Sequence, residues 1–98
     1  MDRFHLSDVL SVTTGMLVST RNMRGVYDIL NHMVGSEVYT HNIPKAIRLC
    51  CPSILRQYPE LAEVSIDVEL DESERAEWLQ KQIDKYGEFL DILPLPEE

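Results

Sequence analysis

The fold class is decided by the stretch Val26–Gly35, whose sequence is VYDILNHMVG. Its apolar residues recur at i, i+3, i+4, i+7 and i+8, which is the spacing of one face of an α-helix. They are Val26, Ile29, Leu30, Met33 and Val34. Gly35 follows directly and suits the left-handed conformation in which many helices end. The stretch therefore predicts an amphipathic helix that packs one face against a core.

A second helical pattern lies between Ile43 and Tyr58. Its apolar side chains continue in helical phase through the whole segment, although Pro52 interrupts it chemically. Because proline removes one backbone hydrogen bond, we expect a kink or two abutting short helices. Asn42 can cap the start of this segment, and Pro59 ends it.

The N-terminal part of the chain predicts a further helix and a loop. A short helix fits between Ser7, which could cap its start, and Gly15, which could close it. The β-branched residues between them also suit a strand, which is the alternative. The polar run Ser19–Arg24 is typical of a loop.

The C-terminal third combines strand and helix signals. Residues 64–70 alternate apolar and polar side chains, which is the best strand pattern in the chain. A strand needs a neighbour, and the candidates are residues 89–93 or the same element of a second copy. Asp71 and Glu74 have the spacing of a capping box, so a helix is expected from there to Tyr86, with Gly87 as its stop.

These elements predict a mainly α-helical domain with a minor β component. Ninety-eight residues have room for one hydrophobic core, so residues 1–98 are expected to form a single domain. It would hold roughly four helices and a short strand or hairpin element near residues 64–70 and 89–93. Residues 1–61 are the helical core of this prediction, and residues 62–98 are an acidic strand–helix extension.

Charge is unevenly distributed along the chain. Residues 1–58 hold six Lys/Arg and four Asp/Glu, whereas residues 59–98 hold three Lys/Arg and thirteen Asp/Glu. An acidic region repels a phosphate backbone and attracts basic protein surfaces. The pattern predicts a partner protein with a basic surface and no direct nucleic-acid contact. Solubility alone is the simpler interpretation of the net charge of −8.

Two sets of candidate binding residues follow. The acidic candidates for partner binding are Glu69, Asp71, Glu72, Glu74 and Glu77. Polar side chains near helix ends and beside the apolar faces could instead line one ligand pocket, where the first two helices meet residues 35–42. They are Thr13, Thr14, Tyr27, Asp28, Asn31, Thr40, His41 and Arg48. The alternative is that this polar set caps the helices and ties them together, because such residues usually satisfy backbone groups.

The sequence contains no recognisable motif for catalysis, a metal or a cofactor. Cys50 and Cys51 lie on the apolar face of a helix, where thiols pack and stay inert, so a nucleophile–base pair with His32 or His41 is disfavoured. The Cys and His spacings match no zinc site, and no phosphate-binding glycine loop occurs. Neither a membrane span nor a signal peptide is evident. We therefore expect a non-enzymatic cytoplasmic protein that does not enter a membrane.

Three strings resemble a family of small proteins encoded by phages and prophages. They are LSVTTG at residues 10–15, GVYDILNHMVG at residues 25–35 and THNIPKA at residues 40–46, and the resemblance covers residues 10–61. It carries over no catalytic residues. By analogy with other small acidic phage proteins, the resemblance implies an inhibitor of host machinery, such as an anti-CRISPR protein that binds a defence complex.

The leading hypothesis is thus a non-enzymatic inhibitor that binds a host protein in the host-cell cytoplasm. One alternative is a small-ligand or nucleotide-signal binding protein that acts as a sponge, with the polar set and nearby arginines as its site. Another is a homo-oligomeric assembly module, in which the apolar stripe Ala76–Leu90 or the predicted strand forms a homodimer.

Overall fold

Four α-helices and one small sheet make up the regular structure in residues 3–20, 22–67 and 69–95, the parts that this computed structural model describes. The helices are α1 (Leu6–Thr14), α2 (Met23–Val34), α3 (Ile43–Gln57) and α4 (Glu72–Tyr86). The strands are β1 (Arg3–His5) and β2 (Phe89–Asp91). Single 3-10 turns, Thr40–Asn42 and Pro59–Glu63, stand before and after α3. The predicted mainly helical class with a minor β element is confirmed.

Helix α1 is the centre of the molecule. All its residues from Leu6 to Val12 are buried, and it contacts the other three helices and both strands. A helix buried on every side must also bury its polar residues, which here include Ser7, Asp8 and Ser11. These side chains need hydrogen bonds inside the protein, because a buried polar group without a partner is costly.

The ends of α1 and α2 follow the sequence prediction in part. Gly15 and Gly35 end the two helices in the left-handed conformation, with φ of 74° and 82°, as expected. The strand alternative for α1 is wrong. The predicted cap is also wrong, because His5 occupies the cap position and its Nδ1 accepts the backbone N–H of Ser7 at 3.1 Å. Helix α2 begins at Met23, inside the predicted loop.

Helix α3 passes through Pro52 without a break. The prediction of two abutting helices is therefore wrong. The buried side chains Cys50 and Ile54, on either side of Pro52, belong to one apolar face, and their burial outweighs the lost hydrogen bond. Asn42 stands at the cap position of α3, but its side chain makes no capping hydrogen bond.

The strand predicted for residues 64–70 is not formed in residues 64–67 and 69–70, and Val68 lies outside the described residues. The segment buries an apolar side chain and binds a backbone carbonyl without joining a sheet. Val64 packs against the core, and the carbonyl of Ser65 accepts the indole N–H of Trp78. Strand β2 lies within the predicted range 89–93, but it pairs antiparallel with β1, so that Phe4 lies opposite Leu90.

Side chains from the end of α3 cover the backbone of β2 and the residues after it. The Gln57 amide accepts the backbone N–H of Leu93 at 2.8 Å and donates to the Leu93 carbonyl at 3.3 Å. The Tyr58 hydroxyl donates to the carbonyl of Asp91 at 2.8 Å. These are backbone groups that a further strand would otherwise bind.

Candidate protein-binding surface

An acidic segment, residues 60–77, runs from the turn after α3 into the first half of α4. It holds eight acidic side chains and one basic side chain. The eight acidic residues are all exposed. They are Glu60, Glu63, Asp67, Glu69, Asp71, Glu72, Glu74 and Glu77. In the described part of the chain, none of them forms a salt bridge with a lysine or arginine. The acidic segment is therefore a continuous source of negative potential.

Contacts with the core and with α4 anchor the backbone at the start of the acidic segment. Leu61 is 1% exposed and anchors the 3-10 turn in the core. The Trp78 indole N–H donates to the carbonyl of Ser65 at 2.9 Å, and the Tyr86 hydroxyl donates to the carbonyl of Glu60 at 3.5 Å. The carboxylates of Glu60 and Glu63 are thus presented from an anchored stretch of backbone, which lowers the entropic cost of binding.

Asp71 and Glu74 form the predicted capping box. The Asp71 carboxylate accepts the backbone N–H of Glu74 at 2.8 Å, and the Glu74 carboxylate accepts that of Asp71 at 3.2 Å. Both carboxylates therefore already stabilise the start of α4. Of the predicted partner-binding residues, Glu69, Glu72 and Glu77 have no such structural role among the described contacts.

A groove of about 350 Å³ lies between α4 and the loop that joins α1 to α2. We call it the α4 groove. The residues used below are its apolar members Leu17, Ala76, Leu79 and Ile83 and its charged members Glu72 and Arg75. Glu72 belongs both to the α4 groove and to the acidic segment, so the two surfaces are continuous. The sequence did not predict this groove, because α4 and Leu17 come together only in the folded chain.

The structure distributes the predicted ligand-binding set over separate places. Thr13 and Thr14 donate their hydroxyls to the carbonyl of Leu10, at 3.5 and 2.6 Å. The side-chain oxygen of Asn31 accepts the backbone N–H of Val38 at 2.7 Å. These contacts tie helix ends and a loop to their own neighbourhood, as the alternative interpretation of the set described.

Tyr27 and Thr40 are brought together, with 2.7 Å between their hydroxyl oxygens. His41 stacks against Tyr39 beside them, with 6.1 Å between ring centroids. Asp28 lines a different cavity, of about 450 Å³, next to β1. Arg48 is exposed on α3. Asp28 thus lies at a different place from the Tyr27–Thr40 pair. That the predicted set forms one ligand pocket stays a prediction.

A buried polar cluster at the start of α1 was missed by the sequence analysis. The Ser19 hydroxyl donates to the Asp8 carboxylate at 2.5 Å, and both residues are buried. Gly25 of α2 approaches so closely that an added Cβ would lie 2.1 Å from the Asp8 carboxylate. An aspartate among the apolar residues Leu6 and Val9 was the available signal. Its position in the first turn of a helix made an exposed role equally acceptable.

The two cysteines are free thiols in an unreactive setting. Burial, and then the neighbouring Cys51, raise the pKa of the Cys50 thiol to about 11. Burial also raises the pKa of the Cys51 thiol, and its Sγ lies 3.9 Å from the carbonyl oxygen of Thr13. Since the thiolate is the nucleophilic form, both side chains are suited to packing.

We expect Cys50 to react slowly with Ellman's reagent at pH 8 in the Cys51→Ala variant. Burial is the larger cause of the raised pKa of Cys50 and remains when Cys51 is replaced, so the thiolate fraction stays well below that of an exposed thiol, and burial also slows access of the reagent. The measurement compares labelling rates in native buffer and in urea, where the same thiol is the control. Equal rates in the two conditions would contradict the prediction.

Within the described residues, no helix combines the length and the apolar character needed to cross a membrane. In the same part of the chain, no group of three or more His, Cys, Asp or Glu side chains is placed to hold a metal ion.

Comparisons with known proteins give a family and no described function. Searches of curated proteins and of solved structures found no significant match. A family model described as a domain of unknown function, DUF7736, matches residues 4–64. The match covers α1, α2, α3 and the turn after α3, and it ends before most of the acidic segment and before α4. Because it spans more than half of the chain, the protein belongs to the DUF7736 family.

Proposed function

We propose that this protein is a non-enzymatic inhibitor that binds a host protein in the host-cell cytoplasm, at a basic surface of that protein. The observation that carries the proposal is the acidic segment, with eight exposed acidic residues and one basic residue within residues 60–77. Complementary potentials accelerate association and select partners. A defence complex of the host, as inhibited by anti-CRISPR proteins, is a target class with such surfaces.

The concentration of charge argues for binding over solubility alone. Solubility requires only net charge, which can be spread over the surface. Here eight exposed carboxylates are concentrated within residues 60–77, and charges in physiological salt still interact over roughly 8–10 Å. Their mutual repulsion destabilises the isolated protein and is relieved when a basic surface approaches.

The kind of basic surface follows from the chemistry of the acidic segment. Proteins that hold nucleic acids do so with lysine and arginine contacts to a row of phosphates. A row of exposed carboxylates offers the same cations a competing set of acceptors. Binding there would block the nucleic-acid site without any chemical step, which accounts for inhibition by a non-enzymatic protein.

The test removes three charges from the acidic segment and leaves the capping box intact. The test variant is Glu63→Gln, Glu69→Gln, Glu77→Gln. The control variant removes three exposed acids elsewhere and is Glu37→Gln, Asp84→Asn, Asp91→Asn. Each tagged protein is used to capture partners from a bacterial lysate, and the complexes are identified by native mass spectrometry. We expect the test variant to capture about tenfold less of a stoichiometric partner than the unaltered protein does, while the control variant captures the same amount.

The salt dependence of capture provides a second readout. An electrostatic complex should dissociate progressively as the salt concentration rises above about 0.15 M. Circular dichroism of both variants shows whether the fold is kept. Retention of the same partner by the test variant at the level of the unaltered protein would overturn the proposal. Recovery of a small bound molecule and no protein would instead favour the ligand-binding alternative.

A further inference from the structure

The α4 groove exposes apolar surface directly beside the acidic segment. Leu17 keeps 43% of its surface exposed. Ala76 is exposed, and Leu79 and Ile83 are only partly buried. Its volume of about 350 Å³ falls within the roughly 300–1,000 Å³ range of cavities that accept ligands. Burying this surface against a partner would be favourable.

One charged side chain of the α4 groove has an unmet hydrogen bond. The Nε of Arg75 is buried and has no hydrogen-bond acceptor within the described protein. A buried donor of this kind is stabilised by any ligand that brings an oxygen acceptor to it. The groove therefore offers an apolar lining, an arginine that needs an acceptor, and a carboxylate, Glu72, at its junction with the acidic segment.

We propose that the α4 groove binds an amphipathic basic helix of the partner protein. The apolar face of that helix contacts Leu17, Ala76 and Ile83, and its lysines or arginines lie against the acidic segment. On binding, the Arg75 side chain turns so that its Nε, buried in the free protein, donates to a free carbonyl at the C-terminal end of that helix, since the last carbonyls of a helix have no partner within it. The inference rests on the proposed function and names the element of the partner that is recognised.

Charge complementarity selects this occupant over a second copy of the chain. A second copy carries a net charge of −8 and an identical acidic segment. Its approach would place like charges together, which is costly at an interface. An amphipathic basic helix has the opposite charge beside an apolar face, which matches the acidic segment beside the α4 groove.

Two synthetic peptides of lysine and leucine provide the probe. Each has about 15 residues, the length of α4. In one peptide the leucines recur at i, i+3 and i+4, and in the other the same composition is ordered so that leucines surround the helix. Binding is measured by anisotropy of a label on the peptide and by the fluorescence of Trp78, the single tryptophan. We expect the amphipathic peptide to bind at least tenfold more tightly.

Matched variants test whether the preference depends on the α4 groove. Ala76→Phe fills the groove and should abolish the preference, so that the two peptides bind with about equal affinity. The control is Ala62→Phe, the same substitution at an exposed alanine in the acidic segment that does not line the groove, and it should keep the preference. Arg75→Lys retains the charge but removes Nε, and should weaken binding of the amphipathic peptide about threefold.

The outcomes separate this inference from the proposed function. Equal binding of the two peptides to the unaltered protein, or a preference that survives Ala76→Phe, would overturn the groove proposal. If the test variant of the acidic segment then weakens both peptides, the proposed function keeps its electrostatic basis. If that variant binds both peptides as the unaltered protein does, the proposed function loses that basis as well.

Discussion

Replacing Gly25 with alanine is expected to lower the free energy of unfolding by about 3 kcal/mol. In an ordinary helix the same change raises stability by about 0.5–1 kcal/mol, because alanine has the better helix propensity. Here the new Cβ would lie 2.1 Å from the Asp8 carboxylate and 2.3 Å from the Ser19 hydroxyl. Both partners are buried and bonded to each other, so α2 must shift away from α1.

Urea unfolding followed by circular dichroism measures this effect. Gly15→Ala is the control, because Gly15 has a φ of 74° and no atom within 4 Å of the added Cβ. It should cost only about 1 kcal/mol, which is the strain of a left-handed alanine. A Gly25→Ala variant as stable as the unaltered protein would contradict the close approach of the helices.

A double-mutant cycle locates the origin of the loss. In an Asp8→Ala background, two of the three atoms nearest to the new Cβ are gone and only the Ser19 hydroxyl remains, so Gly25→Ala should cost less than it does alone. The same cost in both backgrounds would assign the effect to Ser19 and not to the Asp8 carboxylate.

Replacing Pro52 with alanine is expected to have a large effect of the opposite sign, raising the free energy of unfolding by about 2 kcal/mol. A proline inside a helix costs about 3 kcal/mol, and the greater flexibility of the unfolded alanine chain returns about 0.4–1 kcal/mol of that gain. Pro52 is exposed within α3, so little packing is lost with its ring. The new N–H can bond the carbonyl of Arg48.

Pro44→Ala is the matched control in the same helix. Pro44 lies in the first turn of α3, where an amide has no partner within the helix, so its removal should change stability by about 0.5 kcal/mol or less. Thermal unfolding of the two variants under identical conditions makes the comparison. A loss of stability in Pro52→Ala would mean that the neighbours Cys51 and Leu55 depend on the proline geometry for their packing.

Predictability from the sequence depended on whether a feature is local. The helix periodicities and the Asp71–Glu74 capping box lie within a few residues, so each was recognisable without the rest of the chain. The pairing of β1 with β2 joins residues more than 80 positions apart in the sequence, and Arg3–His5 has too few residues for a strand pattern. The alternation at residues 64–70 was misleading because this segment is held by contacts other than a sheet, namely the packing of Val64 against the core and the bond from the Trp78 indole to the Ser65 carbonyl.

In the candidate binding surface, too, the local feature was predictable from the sequence and the feature formed by distant residues was not. The acidic segment was evident because charge is read directly from composition. The α4 groove was not, because Leu17 and Ile83 are distant in sequence and become neighbours only when α4 packs against the core. Gly25 was unremarked for a similar reason, since its importance lies in the atoms of Asp8 and Ser19 that surround it.

The pairing of β1 with β2 has a consequence for biosynthesis. Arg3–His5 is synthesised before the four helices, whereas Phe89–Asp91 and the buried Ile92 are synthesised after them. Until then the start of α1 lacks the hydrogen bond that its Leu6 N–H donates to Glu88, at 2.7 Å, and the core lacks one apolar side chain. This domain therefore completes its fold only once β2 has been synthesised, and a nascent chain stalled before β2 would expose apolar surface that chaperones recognise.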